Sequence, residues 1–115
     1  MAVPRRVLIV EDEMLIALMM EDVLGSLGIA VAGIAGTIEE ALVEAAAGDF
    51  DCAILDVHLK GKEVFPVADA LAEKGVPFIF ATGYGESGLP EKYRGRPVLQ
   101  KPFMVSDLER VLATL

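Results

Sequence analysis

Glu11, Asp12 and Glu13 follow one another in "VLIVEDEM", directly after four apolar residues and with no basic residue among them. Two like charges about 4 Å apart in an effective dielectric near 20 repel by on the order of 4 kcal/mol, so such a cluster calls for a cation. Asp56 closes a second apolar run, "CAILD", where an unpaired acid is costly to bury. Thr82 closes a third run, "PFIFAT", and Lys101 follows a fourth, "PVLQ". Carboxylates are hard oxygen donors that suit Mg²⁺, an ion commonly held by one or two carboxylates together with waters. A lysine and a threonine hydroxyl facing them suit the oxygens of a phosphoryl group. Brought together, these residues imply a Mg²⁺-dependent phosphoryl site.

The elements that must position them alternate strand and helix. The pattern predicts a first strand over Val7–Val10 and a first helix from Glu13 to about Leu27, closing on Gly28. The second strand is "IAVAGIA". The second helix opens with "TIEE", where Thr37 caps and Glu40 reaches back as a capping box. "CAILD" is the third strand, Glu63 to Lys74 the third helix and "PFIFAT" the fourth strand. After a glycine-rich stretch come the fifth strand, "PVLQ", and a last helix capped by Ser106 with Glu109 three residues on. Five short apolar strands alternating with helices imply an α/β fold of parallel βαβ units. Right-handed crossovers make it doubly wound, with helices on both faces. For a five-stranded parallel sheet of order 2-1-3-4-5, the functional crevice lies beyond the carboxyl ends of strands 1 and 3. Those are the ends that carry the acids.

Composition sets bounds on the function. The chain has 115 residues, 54% of them apolar, enough for one domain with a single filled core. A net charge of −8 argues against nucleic acid as a partner, because phosphate contacts need clustered Lys and Arg. No apolar run approaches the eighteen or so residues of a membrane span. The opening "MAVPRRVLIV" has too short an apolar run for a signal peptide, so a cytoplasmic location is expected. Cys52, the single cysteine, leaves no disulfide and no thiolate cluster and reads as a small buried hydrophobe.

On "VLIVEDE", "ILDVHLKG", "FATGY" and "QKPF", and over essentially its whole length, the sequence resembles the receiver domain of two-component response regulators. Its "PFIFATGY" is similar to a subgroup of bacterial single-domain regulators marked by a Phe-Ala-Thr-Gly-Tyr run. The resemblance implies a flavodoxin-like sheet and one receiver domain over residues 1–115 with no output domain. It makes Asp56 the phosphoacceptor, with Thr82 hydrogen-bonding the new phosphoryl group and Lys101 pairing with it. Mg²⁺ would be held by Asp12 directly, by Glu11 through water, by Asp56, and by the main-chain carbonyl of His58. The Lys101–Pro102 bond is commonly cis in this family. The phosphoryl donor would be a histidine kinase or a histidine phosphotransfer protein. The protein would then signal by contact with a further protein, or act as a phosphoryl carrier or sink, rather than work as an enzyme on other substrates. His58 and Tyr84, each two residues beyond a site residue, would tune the lifetime of the phosphorylated state.

Two departures from the family pattern matter. Many receivers have an aromatic residue three positions before the lysine, whose rotation reports phosphorylation; here it is Val98. The glycine- and proline-rich stretch between Thr82 and Lys101 also accommodates a full fourth helix poorly. We therefore expect a short or disordered fourth helix, and a mobile Tyr84–Arg96 segment that phosphorylation orders. In the first helix Ile16, Met20, Val23, Leu24 and Leu27 share a core face. Met14 and Leu18, with Leu15 beside them, fall on the acidic outer face and could dock a helix of the phosphoryl donor.

Other readings exist. Gly83, Gly85 and Gly88 have G-x-G-x-x-G spacing, but they follow the fourth strand and Pro90 intrudes on the helix that a dinucleotide site needs. Phosphatases of the haloacid-dehalogenase type also use Asp, Thr, Lys and Mg²⁺, but their nucleophile opens a D-x-D run after strand 1, where Glu11 and Glu13 stand here. A flavodoxin-like cofactor binder would need a phosphate loop that the sequence lacks.

Overall fold

The computed structural model describes residues 5–83 and 89–114. In chain order its elements are β1 (Arg6–Val10), α1 (Met14–Ser26), β2 (Ala30–Ala35), α2 (Ile38–Ala47) and β3 (Cys52–Asp56). There follow β4 (His58–Leu59), β5 (Lys62–Glu63), α3 (Phe65–Glu73), β6 (Phe78–Thr82), a 3-10 turn (Glu91–Tyr93), β7 (Val98–Gln100) and α4 (Val105–Leu112). The main sheet is parallel, in the order β2-β1-β3-β6-β7. With the two-residue β4–β5 ribbon set aside, this is the expected 2-1-3-4-5 order.

Strand alternation divides the core in two. Leu8 and Val10 of β1, Ala53 and Leu55 of β3, and Phe78 and Phe80 of β6 pack with α2 and α3. Val7, Ile9, Cys52, Ile54, Ile79 and Ala81 point the other way, onto α1 and α4. With both faces covered, β3 and β6 are buried along their whole length, which is why they read as unbroken apolar runs. Burial also pushes the Cys52 thiol up to about 12, so it stays protonated and unreactive.

Helix ends follow their local chemistry, with three adjustments. Gly28, at φ +78, ends α1, and the Ile29 amide closes back on the Leu24 carbonyl at 2.9 Å. In α2 the Thr37 hydroxyl accepts from the Glu40 amide at 3.1 Å as expected, but Glu40 reaches one residue further back, to the Gly36 amide. Helix α3 starts at Phe65 rather than Glu63, because Lys62–Glu63 pair with His58–Leu59 and Pro66 stands in the first turn. Helix α4 starts earlier than its supposed cap: Asp107 accepts from the Met104 amide at 2.8 Å, and Ser106 lies inside the helix.

Only the Glu91–Tyr93 turn occupies the place of a fourth helix among the described residues, in line with a short one. Leu89 and Tyr93 are buried in the core, which ties down the later part of the expected mobile segment. The Tyr93 ring packs against Phe65, Phe78 and Phe80, and its hydroxyl donates to Asp69. The first part, Tyr84–Gly88, lies outside the described residues, as does the expected role of Tyr84. Among the described residues no helix is long and apolar enough to cross a membrane.

Candidate functional site

Strand register brings the site together. Val10 pairs with Leu55, Asp56 with Ala81, and Thr82 with Gln100, so β1, β3, β6 and β7 end at one edge. Pairing continues one residue further at each side: the Glu11 amide donates to the Ala35 carbonyl and the Lys101 amide to the Thr82 carbonyl, both at 2.9 Å. Glu11 and Lys101, 90 residues apart in sequence, thereby face one another.

Lys101 stands between the acids. Its Nζ lies 2.9 Å from Glu11 Oε1 and 3.4 Å from Asp56 Oδ2. Glu11 and Thr82 are each 2% exposed and Asp56 is 8% exposed; in the described residues these are the buried polar groups. Asp12 is half-buried and accepts from the Lys60 amide at 2.9 Å. Glu11, Asp12 and Asp56 each offer one oxygen within 4.8 Å of the others. The Lys101–Pro102 peptide is cis.

The electrostatics follow from burial and crowding. Desolvation, helped by the Asp56 charge, pushes Glu11 up to about 7, although Lys101 and the Glu13 amide pull the other way. For Asp12 the small cost of burial is outweighed by the Lys60 amide and the Glu11 side chain, which hold its carboxyl below the ordinary range. Burial works against the Lys101 charge, but Glu11 and Asp56 more than offset it and raise the ammonium above its usual value. When all four groups are ionised, three acids and one lysine leave two negative charges in a largely buried space. Hard oxygens and surplus negative charge fit a small divalent cation, so the donor set passes the chemical test for Mg²⁺.

The side chains of Glu11, Asp12, Asp56 and Lys101 converge, and buried Thr82 stands at the end of β6, one residue beyond the Ala81 that pairs with Asp56. The His58 backbone is beside them, its amide 3.4 Å from Asp56 Oδ1. Three contributors went unread in the sequence. The Lys60 amide comes from a ribbon too short to leave a pattern. Gln100 Nε2 donates to the Gly83 carbonyl at 3.0 Å and steadies the chain after Thr82, with no local signal to mark it. Met19 joins the exposed apolar group of Met14, Leu15 and Leu18, and its helical spacing from Leu15 could have shown this. With Ile16, Lys101, Pro102 and Phe103, Met19 lines a recess of about 440 Å³ next to the acids.

Fold and site together define the class: a doubly wound α/β protein with an acid, hydroxyl and lysine cluster at the carboxyl edge of its sheet. The chain belongs to the response regulator receiver domain family, whose model matches residues 7–113. It is similar to SdrG from Sphingomonas melonis Fr1, at 45% identity and a TM-score of 0.87 over 98% of this chain and 97% of that one. A second SdrG structure, of the BeF3-activated conformation, matches at 46% identity and a TM-score of 0.83 over the same shares of the two chains. The transcriptional regulatory protein PdtaR of Mycobacterium tuberculosis is 36% identical over 111 residues, covering 93% of this chain and 54% of PdtaR. The chain thus spans about half the length of that curated relative. PhyR from Bartonella quintana, an anti-anti-sigma factor, matches at 31% identity and a TM-score of 0.81, over 99% of this chain and 47% of PhyR. These regulators favour neither the phosphatase nor the cofactor-binding alternative.

Proposed function

We propose that this receiver domain accepts a phosphoryl group on Asp56 in a Mg²⁺-dependent reaction and passes the signal on by protein contact. The observation that carries the reading is the gathering of Asp56, Glu11, Asp12 and Lys101 around one small space. An Asp56 oxygen attacks phosphorus; the new P–O bond forms as the bond to the donor nitrogen or oxygen breaks, and the donor leaves with the electron pair. Glu11, Asp12, Asp56 and the His58 carbonyl would hold Mg²⁺, which supplies charge neutralisation to the transferring group. Lys101 already spans Glu11 and Asp56 and is within reach of a phosphoryl oxygen on Asp56; the Thr82 hydroxyl would donate to another.

The donor is a histidine kinase or histidine phosphotransfer protein, docking on Met14, Leu15 and Leu18 beside the recess at Met19 and Phe103. The downstream partner is a protein, as the anti-anti-sigma description of PhyR suggests. The signal does not use an aromatic at position 98, where half-buried Val98 packs on the core. The protein works in the cytoplasm, and the acid-rich chain has no direct role on nucleic acid. Incubation with acetyl phosphate and Mg²⁺, read by intact mass, tests the reading. One added phosphoryl group is expected in the parent and none in Asp56→Asn; equal labelling of both, or labelling unaffected by chelator, refutes it.

A further inference from the structure

The carbonyls at the end of β6 break the alternation of a strand. Ala81 C=O accepts from the Val57 amide at 3.2 Å, on the β3 side, and Thr82 C=O accepts from the Lys101 amide at 2.9 Å, on the β7 side. Successive residues of a strand face opposite ways, so the next carbonyl, that of Gly83, would return to the β3 side. Instead it accepts from Gln100 Nε2 at 3.0 Å. The chain therefore turns at Gly83, and a side chain of β7 holds the turn. Backbone register between β6 and β7 ends at the Thr82–Gln100 pair, and the Gln100 side chain carries the link one residue further. Its amide nitrogen also lies 3.5 Å from the Lys101 carbonyl. One carboxamide thus reaches main-chain atoms beside Thr82 and of Lys101 itself.

Gln100 suits this place chemically. Its NH₂ group offers two donors and no charge, whereas a glutamate of the same shape would set an acceptor against an acceptor. The residue is exposed, and its neighbours Val98 and Leu99 do the packing on the core. The side chain is therefore spare for another task.

We propose that Gln100 is a positioning residue, whose amide fixes the spacing between the Thr82 hydroxyl and the Lys101 ammonium that grip a phosphoryl group on Asp56. The inference rests on the phosphoacceptor reading above and adds to it a residue that acts only through Thr82 and Lys101. Those two stand on different strands, and a grip from two sides works best when their separation is set before the group arrives. The Lys101 amide holds the peptide before Gly83, and Gln100 holds the peptide after it. A glycine has few steric limits of its own, so without the second bond motion at Gly83 would pass straight to Thr82. The acids lie elsewhere: Glu11 and Asp12 follow β1, and Asp56 ends β3. Gln100 therefore bears on the phosphoryl grip and not on the ligands of the cation.

The test measures two affinities by calorimetry on the full chain: first for Mg²⁺, then, with Mg²⁺ saturating, for BeF₃⁻, a stand-in for a phosphoryl group on a carboxylate. The chains compared are wild type, Gln100→Met, of similar length without a donor, and Gln100→Glu, with an acceptor in the donor's place. A neutral hydrogen bond is worth about a factor of five in an equilibrium constant. The BeF₃⁻ affinity is therefore expected to fall about fivefold in both variants, with the Mg²⁺ affinity unchanged. An unchanged BeF₃⁻ affinity in either variant overturns the inference and leaves the phosphoacceptor reading standing. So does an equal fall in Mg²⁺ affinity, which marks a general loosening of this edge of the sheet. Should neither variant fold, the NMR signals of the Gln100 carboxamide in the wild type decide. They are expected away from their random-coil positions with BeF₃⁻ bound, and signals at those positions overturn the inference. A wild type that neither binds BeF₃⁻ nor takes a phosphoryl group from acetyl phosphate overturns the phosphoacceptor reading, and the inference with it.

Discussion

Glu11 has a direct consequence for stability in the absence of metal. The residue is 2% exposed, and burial beside Asp56 raises its carboxyl from 4.5 to about 7. In the unfolded chain the same group ionises near its ordinary value. Between those two values the folded protein holds a proton that the unfolded chain has released, so stability falls as pH rises through that window. Each tenfold gain in proton affinity on folding corresponds to about 1.4 kcal/mol, so the loss is at most about 3 kcal/mol, or about 10 °C in Tm for a domain of this size. Thermal melts in chelator from about pH 5 to about pH 8 should show this decline in the wild type and not in Glu11→Gln. Excess Mg²⁺ at the upper pH should restore most of the loss, since a cation takes over the neutralising role of the proton. Asp12 and Asp69, both held below the ordinary range, act only in more acidic solution and do not blur the test. A wild type that is equally or more stable at the upper pH in chelator, or a Glu11→Gln variant with the same slope, refutes the reasoning.

Lys101→Met leaves Glu11 and Asp56 without their shared cation; metal-free stability near neutral pH should drop by about 1–3 kcal/mol and recover with Mg²⁺, as read by urea titration. Tyr93→Phe removes the hydroxyl bonded to Asp69 while keeping the ring among Phe65, Phe78 and Phe80. It should cost about 1 kcal/mol and raise hydrogen exchange around the Glu91–Tyr93 turn. Leu15, 83% exposed, should tolerate Leu15→Arg within about 0.5 kcal/mol of stability. The same variant should accept phosphate from acetyl phosphate normally but from its histidine kinase at least tenfold more slowly; equal rates from both donors would exclude α1 as the docking surface. Thr37→Ala should cost about 1 kcal/mol through the lost bond to the Glu40 amide, measurable as a lowered Tm.

Much of the fold was legible because its determinants are local. "CAILD" and "PFIFAT" read as strands covered on both faces, and they occupy Cys52–Asp56 and Phe78–Thr82. Gly28 ended its helix because a residue at φ +78 is cheap only for glycine. The misses share one cause. Glu63 fits a helical pattern, yet an antiparallel partner five residues earlier claims it for the ribbon. Ser106 is a good cap residue, yet Asp107 satisfies the Met104 amide and the helix starts first. In both cases a contact made by a neighbour overrode a propensity worth less than about 1 kcal/mol.

At the site itself, the sequence determined the residue types at each strand end and, through period-two alternation, the face on which each strand packs. Those properties depend on neighbours a few positions away. Only the tertiary structure decided that Lys101 straddles Glu11 and Asp56, that Glu11 rather than Asp12 bears the cost of burial, and that Lys60 reaches across to Asp12. Those relations depend on register between strands far apart in the chain and on one backbone turn at φ +47. No periodicity encodes a distance between residues 48 or 90 positions apart. It is set when packing brings the strand ends to one edge.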